Sequence, residues 1–189
     1  MPRYFIGLTL PPPIQQRLMT FRATISERLP NGHNYSISWT APEDLHCTLL
    51  YIGPTQQSED YLTTEMRRVA SQLPPMTMTL GGPTHWLGRN SVAVAATGAE
   101  HAGATFATEL GHLSSDRRVG RRPFYGHVTL GRVRPVPPRN TDPFVGHVLD
   151  EPLSWRVDCA QLLKSGAGNT APRYQTISQA RFGATPPSS

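Results

Sequence analysis

Lysine is nearly missing from this chain of 189 residues: Lys and Arg together number 18, yet Lys164 is the one lysine. The net charge of +5 is therefore carried by arginine. A planar guanidinium matches two oxygens of a phosphate with two N–H groups, so the composition suits a phosphorylated or nucleic-acid ligand. The same Arg, Ala, Gly and Pro excess also follows from a GC-rich genome, and a high pI speaks first to solubility and non-specific association. Cysteine is scarce too. Cys47 and Cys159 are too few for a disulfide framework and too far apart in sequence for a zinc knuckle, and they read as buried free thiols. Charged residues make up only 16% of the chain, and no apolar run approaches the ~20 residues that span a bilayer. Met1 to Leu8 lacks the cleavage pattern of a signal peptide, so a soluble, cytoplasmic protein with no membrane association is expected. What is plentiful is turn-forming residues, 16 Gly and 19 Pro, which exclude a coiled coil or a plain helical bundle. The length suits one domain that buries roughly 70% of its unfolded surface.

Tyr4 to Leu10 reads as a buried strand, and Pro11-Pro12-Pro13 then opens an amphipathic helix marked by Ile14, Leu18, Phe21 and Ile25. Tyr35 to Trp39 and Leu45 to Ile52 are strand-like, the second ending at Gly53-Pro54. Ser58-Glu59-Asp60 caps a second helix whose Leu62, Met66, Val69 and Leu73 share a face, with Arg67 and Arg68 near its C-terminal end complementing the dipole. Met76 to Leu80 and Ser91 to Ala96 alternate as strands, and Ala102, Phe106, Leu110 and Leu113 mark a third helix. Gly126 to Val133, a single period-two run from Trp155 to Leu163, and Arg173 to Ala180 complete the strands. Arg134 to Pro143 is a Pro-rich excursion, and 184–189 reads as a disordered tail after one domain over 1–183. Helices among many antiparallel-capable strands give an α+β class.

One short pattern occurs twice: His46-Cys47-Thr48-Leu49 and His127-Val128-Thr129-Leu130. In a strand, residues two apart share a face, so each copy aims a histidine and a threonine hydroxyl at one space and sends Cys47 or Val128 to the apolar side. Two such half-sites brought together would set two titratable nitrogens and two hydroxyl donors around one small anion. A phosphate ester fits, because moving one needs a base on the attacking oxygen, an acid on the leaving oxygen and donors for the non-bridging oxygens. Histidine serves both proton roles because its ordinary pKa is about 6.5. A single His-x-Thr on a strand would be read as a satisfied, partly buried pair; two copies with matching flanks point to a site.

With these flanks the chain resembles a 2H phosphoesterase, and most closely the bacterial and archaeal RNA 2′,3′-cyclic phosphodiesterases long called 2′-5′ RNA ligases. The resemblance is carried by Arg3 to Pro11, by Trp39 to Gly53 around the first motif, and by Arg122 to Arg132 around the second. Departures are Cys47 where an apolar residue is usual, Tyr51-Ile52 for Phe-Leu, and Gly126 for a frequent proline; Leu163 through Tyr174 matches only loosely. The resemblance implies a two-lobed fold, two antiparallel sheets with outer helices related by a pseudo-two-fold axis, and an active site in the central cleft. It further implies that His46 protonates the leaving 3′ oxygen and His127 activates water on an RNA terminal 2′,3′-cyclic phosphate, giving a 2′-phosphate, with weak 2′-5′ ligation as the reverse. Thr48 and Thr129 would hold phosphate oxygens, and Arg132 would add charge at the transition state. RNA ends or cyclic nucleotides are the expected partners, with no cofactor, no metal and no obligate protein partner, the chain acting as a monomer.

Arg122 and Tyr125 are further substrate-binding candidates. Arg122 closes the basic cluster Arg117, Arg118, Arg121 and Arg122, which could track an RNA backbone or form a solvated loop, and Tyr125 could stack a base, whereas Phe124 reads as core. His33, His85, His101, His112 and His147 lack ligand spacing and read as surface or structural. Two rival readings stand: the same histidines acting on a 2′-5′ oligoadenylate or on a small cyclic nucleotide such as ADP-ribose cyclic phosphate, and a nucleotide- or RNA-binding module without turnover. A pure binder has no need of two proton carriers.

Overall fold

A computed structural model describes residues 2–29, 34–137, 142–166 and 172–183. Strand β1 (Arg3–Thr9) is apolar and buried on both faces, and it leads into helix α1 (Pro12–Glu27), whose first turn holds prolines where their missing N–H costs nothing. Strand β2 (Ser36–Trp39) and a single 3-10 turn (Pro42–Asp44) precede β3 (His46–Pro54). Helix α2 (Glu59–Ala70) begins where the Ser58 hydroxyl accepts the Tyr61 N–H at 3.1 Å, and it carries the predicted acidic first turn and basic last turn. The remaining elements are β4 (Met76–Leu87), β5 (Ser91–Thr97), α3 (Glu100–Leu110), β6 (His127–Arg134), β7 (Leu153–Val157), β8 (Cys159–Ser165) and β9 (Tyr174–Arg181).

The strands form one antiparallel sheet in the order β7-β4-β5-β6-β3-β1-β8-β9, with β2 paired to β6. The two sheets expected from the sequence are instead one continuous sheet, because β3 and β6 pair at the register Cys47 with Val128 and so join its two halves. The seam is short because β2 occupies the edge of β6 from Gly131 to Arg134, leaving β3 only the first part of that strand. Outward from the seam the order runs alike on both sides, β3-β1-β8-β9 and β6-β5-β4-β7. In each half the second strand reaches the seam strand through a helix, α1 after β1 and α3 after β5. Helix α2 packs on β8 and β9, α3 packs on β3 and α2, and α1 reaches the other half, where Arg22 donates to the carbonyls of Thr40 and Leu130.

Two strand readings need correction. The period-two run from Trp155 to Leu163 is two strands in opposite halves of the sheet. Alternation persists through Asp158, but β7 pairs with β4 whereas β8 pairs with β1, and the Asp158 carbonyl turns aside to accept the Phe182 N–H at 2.9 Å. The strand expected to end at Leu80 continues to Leu87, because Gly81 and the positive-φ Gly82 are absorbed in a bulge rather than a turn. Of the two free thiols, Cys47 is buried but Cys159 only partly so. Part of the Pro-rich excursion, His33 and the 184–189 tail lie outside the described residues.

Ile6, Leu8, Leu45, Leu50, Val94, Val128 and Leu162 bury the sheet interior, and Phe106 of α3 is fully enclosed against it. Phe106→Ala leaves a cavity that backbone shifts close only in part, so a loss of about 3–5 kcal/mol is expected. A lower urea midpoint with an unchanged slope is the measurement that checks it.

Candidate active site

The seam assembles the two repeated motifs. An antiparallel pair at Cys47 and Val128 sets His46 abreast of Thr129 and Thr48 abreast of His127, with all four side chains on one face. Cys47, Leu49, Val128 and Leu130 point the other way, into the core. Burial raises the Cys47 thiol to about 11, so it is a packing group rather than a nucleophile. After each threonine the alternation breaks in the same manner: Leu49-Leu50 and Leu130-Gly131 are consecutive buried residues at register shifts against β1 and β5. A bulge returns the chain to the site face one residue late. Tyr51 and Arg132, each five residues beyond its histidine, therefore reach the cleft, where strict alternation would have turned both into the core.

The backbone fixes the tautomers of both rings. His46 Nδ1 lies 2.7 Å from the Asp44 carbonyl oxygen, and His127 Nδ1 lies 3.0 Å from the Tyr125 carbonyl oxygen. A carbonyl only accepts, so each neutral ring carries its hydrogen on Nδ1 and leaves the Nε2 lone pair for the site. Burial pulls the His46 pKa below the ordinary histidine value, against the Asp44 carbonyl bond, which favours the charged ring; the charge of His127 depresses it further. His127 is lowered likewise, first by burial, while the Tyr125 carbonyl opposes the shift and His85 adds to it.

Beside the seam is a cleft of about 500 Å³, lined by His46, Thr48, Tyr51, Thr129 and Arg132 from the two seam strands. Arg3 and Phe5 of β1, Ser38 of β2, Thr40, Asp44, Ser165, Gly166, Arg173 and Tyr174 complete the lining. Arg3, Arg132 and Arg173 give this wall a strongly anion-attracting character. The His46 ring packs in a three-ring cluster with Phe5, tilted at 4.7 Å between centroids, and Tyr174, perpendicular at 5.0 Å, which themselves lie 4.9 Å apart. His127 stands at the margin of this cavity with Tyr125 stacked beside it at 6.3 Å.

The structure thus brings together His46, Thr48, Thr129 and Arg132 in the cleft and His127 at its edge. Tyr125 is 56% exposed, beside His127 rather than in the cleft lining, with its hydroxyl 3.4 Å from His85 Nε2. Arg122 and the other arginines of its cluster are exposed outside the cleft lining. Phe124 packs against the core, as its alternation suggested. His85, read from sequence as a surface or structural residue, flanks His127 because the β4 bulge carries that strand on toward the site. Sequence reasoning missed Arg3, Phe5, Asp44, Arg173 and Tyr174 as site residues. Among the described residues, no three His, Cys, Asp or Glu side chains converge as metal ligands would.

Comparison with solved structures finds the same fold in TT0787 of Thermus thermophilus, 21% identical over 96% of this chain and 98% of that one, with a TM-score of 0.70. E. coli LigT complexed with NADP+ is 23% identical over 97% of this chain and 100% of LigT, with a TM-score of 0.68. The MHV ns2 PDE domain is 14% identical over 88% of this chain and all of that domain, with a TM-score of 0.53. No curated protein sequence matches. Among the described residues no helix is long and apolar enough to cross a membrane. The sequence profile of the 2′-5′ RNA ligase superfamily matches residues 10–169, a span that contains both His-x-Thr strands, and the chain belongs to that superfamily of 2H phosphoesterases.

Proposed function

We propose that this protein hydrolyses the terminal 2′,3′-cyclic phosphate of cytoplasmic RNA to a 2′-phosphate, using His46 and His127 as a metal-independent acid and base. The observation that carries the reading is the pair of Nδ1–H tautomers, each held by the carbonyl two residues upstream, which offer two Nε2 atoms to one side of the seam. Structures of the similarly folded LigT complexed with ATP and with 3′-AMP support a nucleotide-bearing substrate.

In this reading neutral His127 takes a proton from water as the water oxygen bonds to phosphorus. Protonated His46 gives its proton to O3′ as the P–O3′ bond breaks. The products are a 2′-phosphate and a free 3′ hydroxyl, and the proton balance between the rings is restored through solvent. Thr48 and Thr129 hydroxyls donate to the non-bridging oxygens, and the cleft guanidiniums, Arg132 foremost, meet the charge that accumulates on the pentavalent transition state. With a 5′ hydroxyl attacking in place of water, the same steps form a P–O5′ bond as P–O3′ breaks, which is weak 2′-5′ ligation.

The test is an oligoribonucleotide ending in a 2′,3′-cyclic phosphate, assayed in excess chelator beside a 2′-5′ oligoadenylate and ADP-ribose cyclic phosphate. Chelator-resistant formation of the 2′-phosphate is expected. Preferential turnover of either alternative would replace the substrate assigned here, and loss of turnover in chelator would remove the two-histidine mechanism. The pH dependence follows from the shifts. Catalysis needs one ring neutral and one protonated, and both rings titrate below about 6.5 in the free protein. The kcat/KM profile is therefore a bell with its maximum on the acid side of about 6.5, falling toward alkaline pH as the acid loses its proton. A bound phosphate anion favours the charged rings, so the kcat profile lies to the alkaline side of the kcat/KM profile. A flat kcat/KM from pH 5 to 8 would contradict this assignment.

A further inference from the structure

Asp44 is the one buried acidic side chain among the described residues, 2% exposed, yet no arginine or lysine pairs with it there. Its carboxylate instead accepts backbone N–H groups from a distant part of the chain. The Arg173 N–H lies 2.9 and 3.0 Å from its two oxygens, and the Tyr174 N–H lies 3.2 Å from Oδ1. The carbonyl of the same residue receives the Nδ1–H of His46 at 2.7 Å. Tyr174, tied down through its N–H by Asp44 Oδ1, sets its ring perpendicular to His46, and Phe5 packs against both rings. Two routes from one residue therefore converge on one imidazole. The carbonyl selects the tautomer, and the carboxylate holds the aromatic wall that selects the ring plane.

We propose that Asp44 is a positioning residue for His46, its carboxylate clamping the Arg173-Tyr174 corner so that the Asp44 carbonyl and the Tyr174 ring together keep Nε2 facing the cleft. A buried carboxylate costs solvation, and backbone amides offset that cost without a competing side-chain cation. Arg173 thereby lines the cleft with its guanidinium, one N–H of which reaches the Ser38 hydroxyl at 3.5 Å, while its backbone N–H is engaged beneath. The clamp ties the anion-binding wall to the proton carrier through one side chain. A ring displaced by about 1 Å from its productive position is enough to lose about 10²-fold in rate.

The proposal rests on His46 as a proton carrier, but its test does not need turnover. Long-range 1H–15N spectra of the free protein at a pH where the ring is neutral report which nitrogen of His46 bears hydrogen. The parent is expected to show the Nδ1–H form. Asp44→Ala is expected to shift His46 toward the Nε2–H form and to lower kcat on the cyclic phosphate by about 10²-fold, more than it raises KM. Asp44→Asn retains one acceptor oxygen for both N–H groups and should recover most of the rate and the parent tautomer. If Asp44→Ala does not fold, Tyr174→Leu, which keeps both N–H groups, reports the ring-wall route through the same two measurements. A folded Asp44→Ala variant with the parent's tautomer and kcat, or an Asp44→Asn variant as impaired as alanine, overturns the clamp. A tautomer shift in a protein that turns over no phosphate ester would instead overturn the function proposed above and leave the positioning role standing.

Discussion

Alanine at either His46 or His127 is expected to lower kcat on an RNA 2′,3′-cyclic phosphate by roughly 10²- to 10⁴-fold, the range for loss of one positioned acid or base. A thousandfold loss corresponds to about 4 kcal/mol of transition-state stabilisation. The double substitution is expected to be only slightly slower than the worse single one. The two rings act on one phosphorus, so once either proton transfer is missing the other has little left to assist. The fold should survive each change, because both rings lie partly exposed on the site face while the buried partners of the seam are Cys47 and Val128. Thermal unfolding of all three variants checks this alongside the kinetics. If the rings were merely a satisfied pair, stability would fall and turnover would persist; if they acted at separate sites, their losses would multiply.

The repeated motif makes this pair legible in the sequence itself, since strand alternation alone assigns His and Thr to one face and the next apolar residue to the other. The helices were legible for a similar reason. Leu62, Met66 and Val69 follow one face between a Ser58 cap and basic last-turn residues, so local signals and tertiary packing agree. The period-two run through Asp158 misleads because residue pattern does not report the partner: β7 alternates in burial, β8 is buried on both faces from Ala160 to Leu163, and the two pair with strands in opposite halves of the sheet. Arg3, Phe5, Arg173 and Tyr174 are illegible as site residues because they come from the two ends of the chain and reach the cleft only through the pairing of β1 with β3 and β8 with β9. Asp44 was hidden for another reason. Between Glu43 and Leu45 it looks like one more acidic residue of a polar turn, and only the arrival of the Arg173 and Tyr174 amides makes it a buried acceptor.

Arg132→Ala is expected to lower kcat by about 10²- to 10³-fold, as loss of one donor aimed at developing charge does, with a smaller effect on KM. Strict alternation from His127 and Thr129 would have turned Arg132 into the core; the bulge at Leu130-Gly131 instead delivers its guanidinium to the cleft. The equivalent bulge at Leu49-Leu50 delivers Tyr51, which carries no charge, so the other half-site has no cation at the matching position to compensate. Arg3 and Arg173 line the wall on the His46 side, where they attract the ground-state anion and transition state alike. Arg132→Lys keeps the charge but loses the planar fork and should recover only part of the rate. Arg122→Ala is the contrasting case. Its side chain is exposed and outside the cleft lining, so it should leave kcat unchanged and raise KM for longer RNA at low salt, an effect that fades as salt screens it. Equal kcat losses at positions 122 and 132 would mean that bulk positive charge, and not the bulge-directed guanidinium, governs the chemical step.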